Sequence, residues 1–282
     1  MQHEQTLDLG SGRSLFVHQQ GKGPDVVLIH GAITTSHDMI ESETADRLSM
    51  RHRLTIIDRP GHGGSARPRF AGTPRDQADQ IVEGFDQLGI ERPVIVAHSY
   101  GALVALALAE RHPERVAYLV LLAPLAFPEP RLLEHLLLAP RAAPLTGPLF
   151  SKWAAATRMD HAMLPIIQEI MFWPQDVPAR WKKTFPAETL LAPEALVFQG
   201  EDAASMLPMS PTGTINVSAI RTPTHVLTGT SDKVVEDERQ AKALARLLPN
   251  ARLTEIVAGG HMLHHTHADQ VVAAVEGAFA DA

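Results

Sequence analysis

A chain of 282 residues with 45% apolar and 20% charged side chains has the length and composition of a globular enzyme with a sizeable core. Its formal net charge of −7, with both signs scattered along the sequence, argues against nucleic acid as a partner, because phosphate binding needs clustered Lys and Arg. Cysteine is absent, which removes disulfides, thiolate nucleophiles and Cys-ligated metals. No run of about 18 apolar residues suggests a membrane span. Met1 to Gly12 carry Glu4 and Asp8 and lack the apolar stretch of a secretory signal, so the expectation is a soluble, cytoplasmic protein.

In chain order, the first two elements read as a polar-edged hairpin, Gln5–Leu9 and Ser14–Val17 around Gly10-Ser11-Gly12. Short continuous apolar runs follow at Asp25–Ile29, Leu54–Ile57, Pro93–Ala97 and Val116–Leu122, the pattern of strands buried on both faces. Between them, Pro74–Leu88 carries Ile81, Phe85 and Leu88 at helical spacing, and Gly101–Arg111 reads as a second helix. The alternation breaks after Pro124. From Phe127 to Val217 the sequence predicts only helices, kept to a few turns by the 12 of 21 prolines that fall there. Alternation resumes with strand Thr224–Thr228, helix Glu238–Leu248, strand Arg252–Val257 and helix Ala268–Phe279. The fold class is therefore α/β, a mostly parallel central sheet flanked by helices and interrupted once by a helical cap.

The chemistry concentrates at Ala97-His98-Ser99-Tyr100-Gly101, between an apolar strand and an apolar helix. A serine on such a turn presents its hydroxyl, and the helix that follows aims its positive end at the site. Unassisted, a serine hydroxyl is a poor nucleophile and needs a base oriented by an acid. Asp232 follows the strand ending at Thr228, and His261 follows the next strand within Gly259-Gly260-His261-Met262.

With these residues the sequence resembles the α/β-hydrolase superfamily, in its serine-nucleophile, esterase-like branch. The family motif is Gly-x-Ser-x-Gly, and Ala97 departs from it at the first glycine. The family chain order Ser, acid, His is met by Ser99, Asp232 and His261, which the resemblance implies to be the catalytic triad. The motif His30-Gly31-Ala32 matches the family's oxyanion loop, implying that the backbone N–H groups of Ala32 and Tyr100 form the oxyanion hole. Asp58-Arg59-Pro60-Gly61-His62-Gly63-Gly64-Ser65 matches a family loop whose role is structural, with Asp58 and His62 holding it by hydrogen bonds. His30, Tyr100 and Met262 are the candidates for lining the pocket. Residues 1–126 and 218–282 then form the hydrolase core and 127–217 the cap.

Other carboxylates fit less well. Glu201 and Asp202 end no core strand, Glu236 and Asp237 sit nearer the next helix, and Ala123-Pro124-Leu125 offers no acid. His264, His265 and His267 read as a helix start and its flank rather than as metal ligands, so neither a metal nor any other cofactor is expected. Serine in place of aspartate at the nucleophile position excludes epoxide hydrolase and haloalkane dehalogenase chemistry. The expected activity is hydrolysis of a small, apolar carboxylic ester through an acyl-enzyme, with a small-molecule substrate as the partner. A cofactor-free lyase, perhydrolase or acyltransferase on the same triad, or a non-catalytic accessory protein of this fold, are the alternatives. Oligomeric state is not legible.

Overall fold

The computed structural model describes residues 3–129, 132–207 and 214–281, so short parts of the expected cap, at 130–131 and 208–213, lie outside it. Eight strands form one sheet: β1 (His3–Gly10), β2 (Arg13–Gln20), β3 (Asp25–Ile29), β4 (Arg53–Ile57), β5 (Val94–His98), β6 (Tyr118–Leu122), β7 (Thr224–Gly229) and β8 (Ala251–Ile256). Their order is β1-β2-β4-β3-β5-β6-β7-β8. The β1–β2 and β2–β4 pairings are antiparallel and all the others parallel. Every strand expected from the sequence is present, with ends displaced by no more than three residues.

The central parallel strands β3, β5 and β6 are mostly apolar because both faces are covered, whereas the edge strand β8 carries Arg252, Thr254 and Glu255 and is only partly buried. Alternate residues divide between two cores. Val27, Ile29, Ile95, Ala97, Leu119 and Leu121 face one, and Val26, Leu28, Val94, Val96, Val120 and Leu122 face the other. Helices α1 (Ser36–Ile40), α2 (Glu43–Leu48), α3 (Pro74–Leu88) and α4 (Tyr100–Arg111) follow β3, β4 and β5. Helix α3 starts on a full capping box, with Thr73 and Asp76 exchanging hydrogen bonds and Pro74 just inside, and ends at left-handed Gly89.

Six helices lie between β6 and β7: α5 (Leu132–Leu137), α6 (Thr146–Ala156), α7 (Met159–Phe172), α8 (Ala179–Thr184), α9 (Ala187–Leu190) and α10 (Pro193–Ser205). Proline does not shorten all of them as expected. Helix α7 runs for 14 residues with Pro165 inside it, on its exposed side. After β7 a π-helical turn (Glu238–Lys242) leads into α11 (Ala243–Leu247), and α12 (Leu263–Thr266) and α13 (Ala268–Asp281) close the chain.

Register fixes where the loops emerge. Ile29, Ala97, Leu121, Val226 and Leu253 are paired in sequence across five strands, so the loops after β3, β5, β6, β7 and β8 leave from one edge of the sheet. Helix α10 is fastened to this edge by buried charge. Asp202 accepts from the Arg59 guanidinium at 2.7 Å, His62 Nε2 at 2.9 Å and Gln77 at 3.0 Å, while Glu201 takes Arg67 and Arg69. Arg59 holds the Asp202 carboxyl well below the usual carboxylate range despite complete burial. Breaking a buried pair by deleting one partner costs about 3–5 kcal/mol. Asp202→Ala is therefore expected to lower the free energy of urea unfolding by that amount; a loss within the ~0.5 kcal/mol typical of surface changes would contradict the anchoring role.

Candidate active site

Ser99 sits between β5 and α4 with φ 52° and ψ −120°, a left-handed conformation that L-residues adopt only where their surroundings force it. Three backbone hydrogen bonds hold it: its N–H donates to Leu122 O, and its carbonyl accepts from Ala102 and Leu125. Gly101 explains why the turn must be tight. A Cβ there would lie 2.5 Å from the His30 carbonyl oxygen and 2.7 Å from that of Ile29. Ala97, where the family motif has glycine, needs no such allowance; its methyl is fully buried in the core beneath the turn.

His261 Nδ1 bonds Asp232 Oδ2 at 2.7 Å, with both side chains nearly inaccessible. The other carboxylate oxygen of Asp232 accepts the backbone N–H groups of Val234 (2.7 Å) and Val235 (3.0 Å), so the acid is fixed before it meets the imidazole. Its loop is also pinned to the histidine loop: Ser231 N–H donates to Gly259 O, and a Cβ on Gly229 would meet that oxygen at 2.3 Å. With Nδ1 engaged, His261 keeps Nε2 for another partner.

Ser99, Asp232, His261 and Ala32 all line one cavity of about 580 Å³. Its wall is largely apolar, with Met163, Leu164, Ile167, Ile170 and Met171 from α7 and Leu196 from α10. Charged Lys233, Glu236 and Arg239, from the segment after β7, also line it.

Three expected lining residues are placed elsewhere. His30, Tyr100 and Met262 are buried and lie outside the cavity wall. His30 Nε2 accepts the Arg59 N–H at 2.9 Å, which leaves its Nδ1–H to donate to Gly31 O at 2.8 Å. The Tyr100 ring turns under Arg59, and its hydroxyl pairs with Ser205. Met262 packs with Met171, Phe172 and Trp181. Of the two loop residues, Asp58 holds its own loop, accepting from Ser36 N–H and Gly64 N–H. His62 instead reaches across to Asp202.

His264 and His265 lie on α12 and His267 directly after it, as the sequence indicates. Unforeseen is their partner, Asp38 of α1. Its carboxylate accepts from His264 Nε2 (3.0 Å), His265 Nε2 (2.9 Å) and Trp181 Nε1 (2.8 Å). Asp38, His98 and His264 bring ligand-type atoms within 4.8 Å of one another, the one such group among the described residues. Both oxygens of this carboxylate are already occupied by N–H donors, which marks a hydrogen-bonded hub. Only its isolated acid, Asp38 amid Ser36-His37 and Met39-Ile40, signals it in the sequence.

A family model for the alpha/beta hydrolase fold matches residues 24–268. The pimeloyl-[acyl-carrier protein] methyl ester esterase of Chromobacterium violaceum is 38% identical over 114 residues, 39% of this chain and 41% of that protein. The matched region thus spans only about two fifths of that relative. The 2-hydroxymuconate semialdehyde hydrolase of Pseudomonas putida is 27% identical over 286 residues, covering 97% of this chain and 93% of that one. An esterase from Thermogutta terrifontis superimposes with a TM-score of 0.71 at 22% identity, over 100% of this chain and 98% of its own, a likeness of fold.

Burial makes the site's histidines acid-sensitive. Desolvation lowers His30, His98 and His264 below the ordinary imidazole value, and burial beside Arg59 brings His62 down to about 4. Because these folded pKa values lie below the unfolded one, their contribution to stability is complete above pH ~6.5 and is lost as pH falls, the unfolded chain taking up protons the native state refuses. Each such group adds a slope of about 1.4 kcal/mol per pH unit below that point. The urea midpoint should therefore drop steeply between pH 7 and pH 5; a flat profile there would show that these imidazoles are not buried neutral.

Proposed function

Because the chain belongs to the alpha/beta hydrolase family, we propose that it is a serine hydrolase that cleaves a small carboxylic ester with an apolar acyl portion. The observation carrying this reading is the shared cavity: Ser99, His261 and its fixed acid Asp232 open onto the same apolar space as Ala32.

In the first step His261 Nε2 takes the proton of the Ser99 hydroxyl as Oγ attacks the ester carbonyl. The N–H groups of Ala32 and Tyr100 stabilise the oxyanion. Tyr100 is the first residue of α4, where an N–H has no acceptor within the helix. Collapse breaks the C–O bond, and the departing alkoxide takes the proton back from His261. Water then attacks the acyl-Ser99 carbonyl, giving its proton to His261, and the carboxylic acid leaves as Ser99 regains its hydrogen. Asp232 keeps His261 in the Nδ1–H tautomer and stabilises the imidazolium without becoming protonated. The helices α5–α10 serve as the cap, and the apolar side chains of α7 select the acyl group.

The full-length likeness to the 2-hydroxymuconate semialdehyde hydrolase favours a second reading, an acidic semialdehyde substrate of that kind on the same serine. Lys233 and Arg239 on the cavity wall would supply cationic partners for its carboxylate.

A fluorophosphonate probe should label the protein at Ser99, and p-nitrophenyl esters of increasing acyl length should show an optimum set by the cavity. Ser99→Ala should abolish labelling and reduce kcat by a factor on the order of 10⁴ or more. Undiminished turnover by Ser99→Ala would remove the serine mechanism. Turnover of 2-hydroxymuconate semialdehyde above that of every ester would favour the second reading.

A further inference from the structure

We infer that Asp38 is a positioning residue for the reaction, fixing the histidine loop so that His261 stands correctly between Ser99 and Asp232. The inference rests on His261 acting as the base of the proposed serine mechanism.

The geometry gives Asp38 three attachments, each to a different part of the site's frame. Its own helix α1 follows the His30-Gly31-Ala32 loop. Its carboxylate holds His264 and His265, three and four residues beyond His261, at 3.0 and 2.9 Å. Trp181 of α8 donates to the same carboxylate at 2.8 Å. All four side chains are almost wholly buried. Bonds of this kind to an ionised acceptor are about twice as strong as neutral ones, and water does not compete for them here. Consistently, the paired imidazoles keep the Asp38 carboxyl well below the ordinary range although burial opposes ionisation.

The link onward to His261 is direct. The His98 ring lies between those of His264 and His261, with centroids 4.7 and 4.6 Å away. Burial keeps His98 neutral, and its Nε2–H donates to the His261 carbonyl at 3.1 Å. His98 is also the residue next to Ser99. The backbone of the base is thus held from the nucleophile's own turn by His98, and its loop is held from below by Asp38. The Asp232 contact orients the ring, the Ser231–Gly259 bond ties the start of its loop to the acid's loop, and Asp38 holds the far end.

Three variants separate this role from folding. Asp38→Asn removes the charge while keeping the shape. His265→Phe removes a single donor and retains a ring beside Phe172 and Trp181, and His265→Gln restores a donor. Steady-state kinetics on a p-nitrophenyl ester should show kcat reduced about 10- to 100-fold in Asp38→Asn and His265→Phe, with KM within about twofold. His265→Gln should recover most of the loss. The far-downfield proton NMR signal of the His261–Asp232 bond should weaken or shift in the two impaired variants. Normal kcat and an unchanged signal in folded His265→Phe would overturn the inference whether or not Asp38→Asn folds. Failure of the parent protein to react with a fluorophosphonate would instead refute the serine mechanism itself.

Discussion

The site depends on one close approach, that of the β5–α4 turn to the end of β3. Gly101 lies so near the Ile29 and His30 carbonyls that no side chain fits, and this contact forces Ser99 into its left-handed conformation. Such a residue costs about 1–3 kcal/mol and persists only where the surroundings over-determine it. Here the central position of β5 supplies the means. Strand β6 on one side offers the Leu122 carbonyl to Ser99 N–H, and the chain beyond it returns Leu125 N–H to the Ser99 carbonyl. The strain is therefore set by topology: β3 on one side supplies the close approach, and β6 on the other supplies the hydrogen bonds that hold the turn.

The same constraint explains what could be read from the sequence. Strands covered on both faces are unbroken apolar runs, so Val26–Ile29 or Leu119–Leu122 announce themselves, and parallel pairing places their following loops at one edge. Ser99 directly follows such a run, while Asp232 and His261 follow strands that mix polar with apolar residues, Thr224–Gly229 and Ala251–Ile256. Short helices have no period to detect, which is why α1 and α2, of five and six residues, were not foreseen. The pocket lining was misjudged for a related reason. Proximity in sequence to Ser99 made Tyr100 a candidate, but the first residue of a helix springing from that turn points beneath it, toward Arg59 and Ser205. Much of the apolar wall comes from α7 and α10, whose distance in sequence hides their position in space. The roles of Asp38 and Asp202 as anchors are hidden for the same cause, since a buried acid is recognisable only by partners 125 to 227 residues away.

Charge within this protein is organised to stay dry without being unpaired. Asp202 is satisfied by a guanidinium, an imidazole and an amide, and Asp38 by two imidazoles and an indole. Burial lowers His62, His98 and His264 below the ordinary imidazole value. Neutrality matters for His98 in particular: a proton on both nitrogens would place a cation against His261, the group required to accept a proton in the proposed reaction. Burial thus keeps the neighbours of the base from competing with it electrostatically.

These two acids also define how the helices between β6 and β7 are mounted. Asp202 ties α10 to the loop after β4, and Asp38 ties α8 to the loops after β3 and β8. Helix α7, which precedes both in sequence, faces the cavity with Met163, Leu164, Ile167 and Met171, whose apolar contacts are non-directional. Directional bonds therefore set the height of the helices over the sheet, and the apolar wall is left free to vary. A change at Met163 or Leu164 of α7 alters the cavity wall, whereas Met171 and Phe172 also pack on Met262 beside His261. The cavity wall and the histidine loop therefore meet at Met171, which lines the one and packs on Met262 of the other.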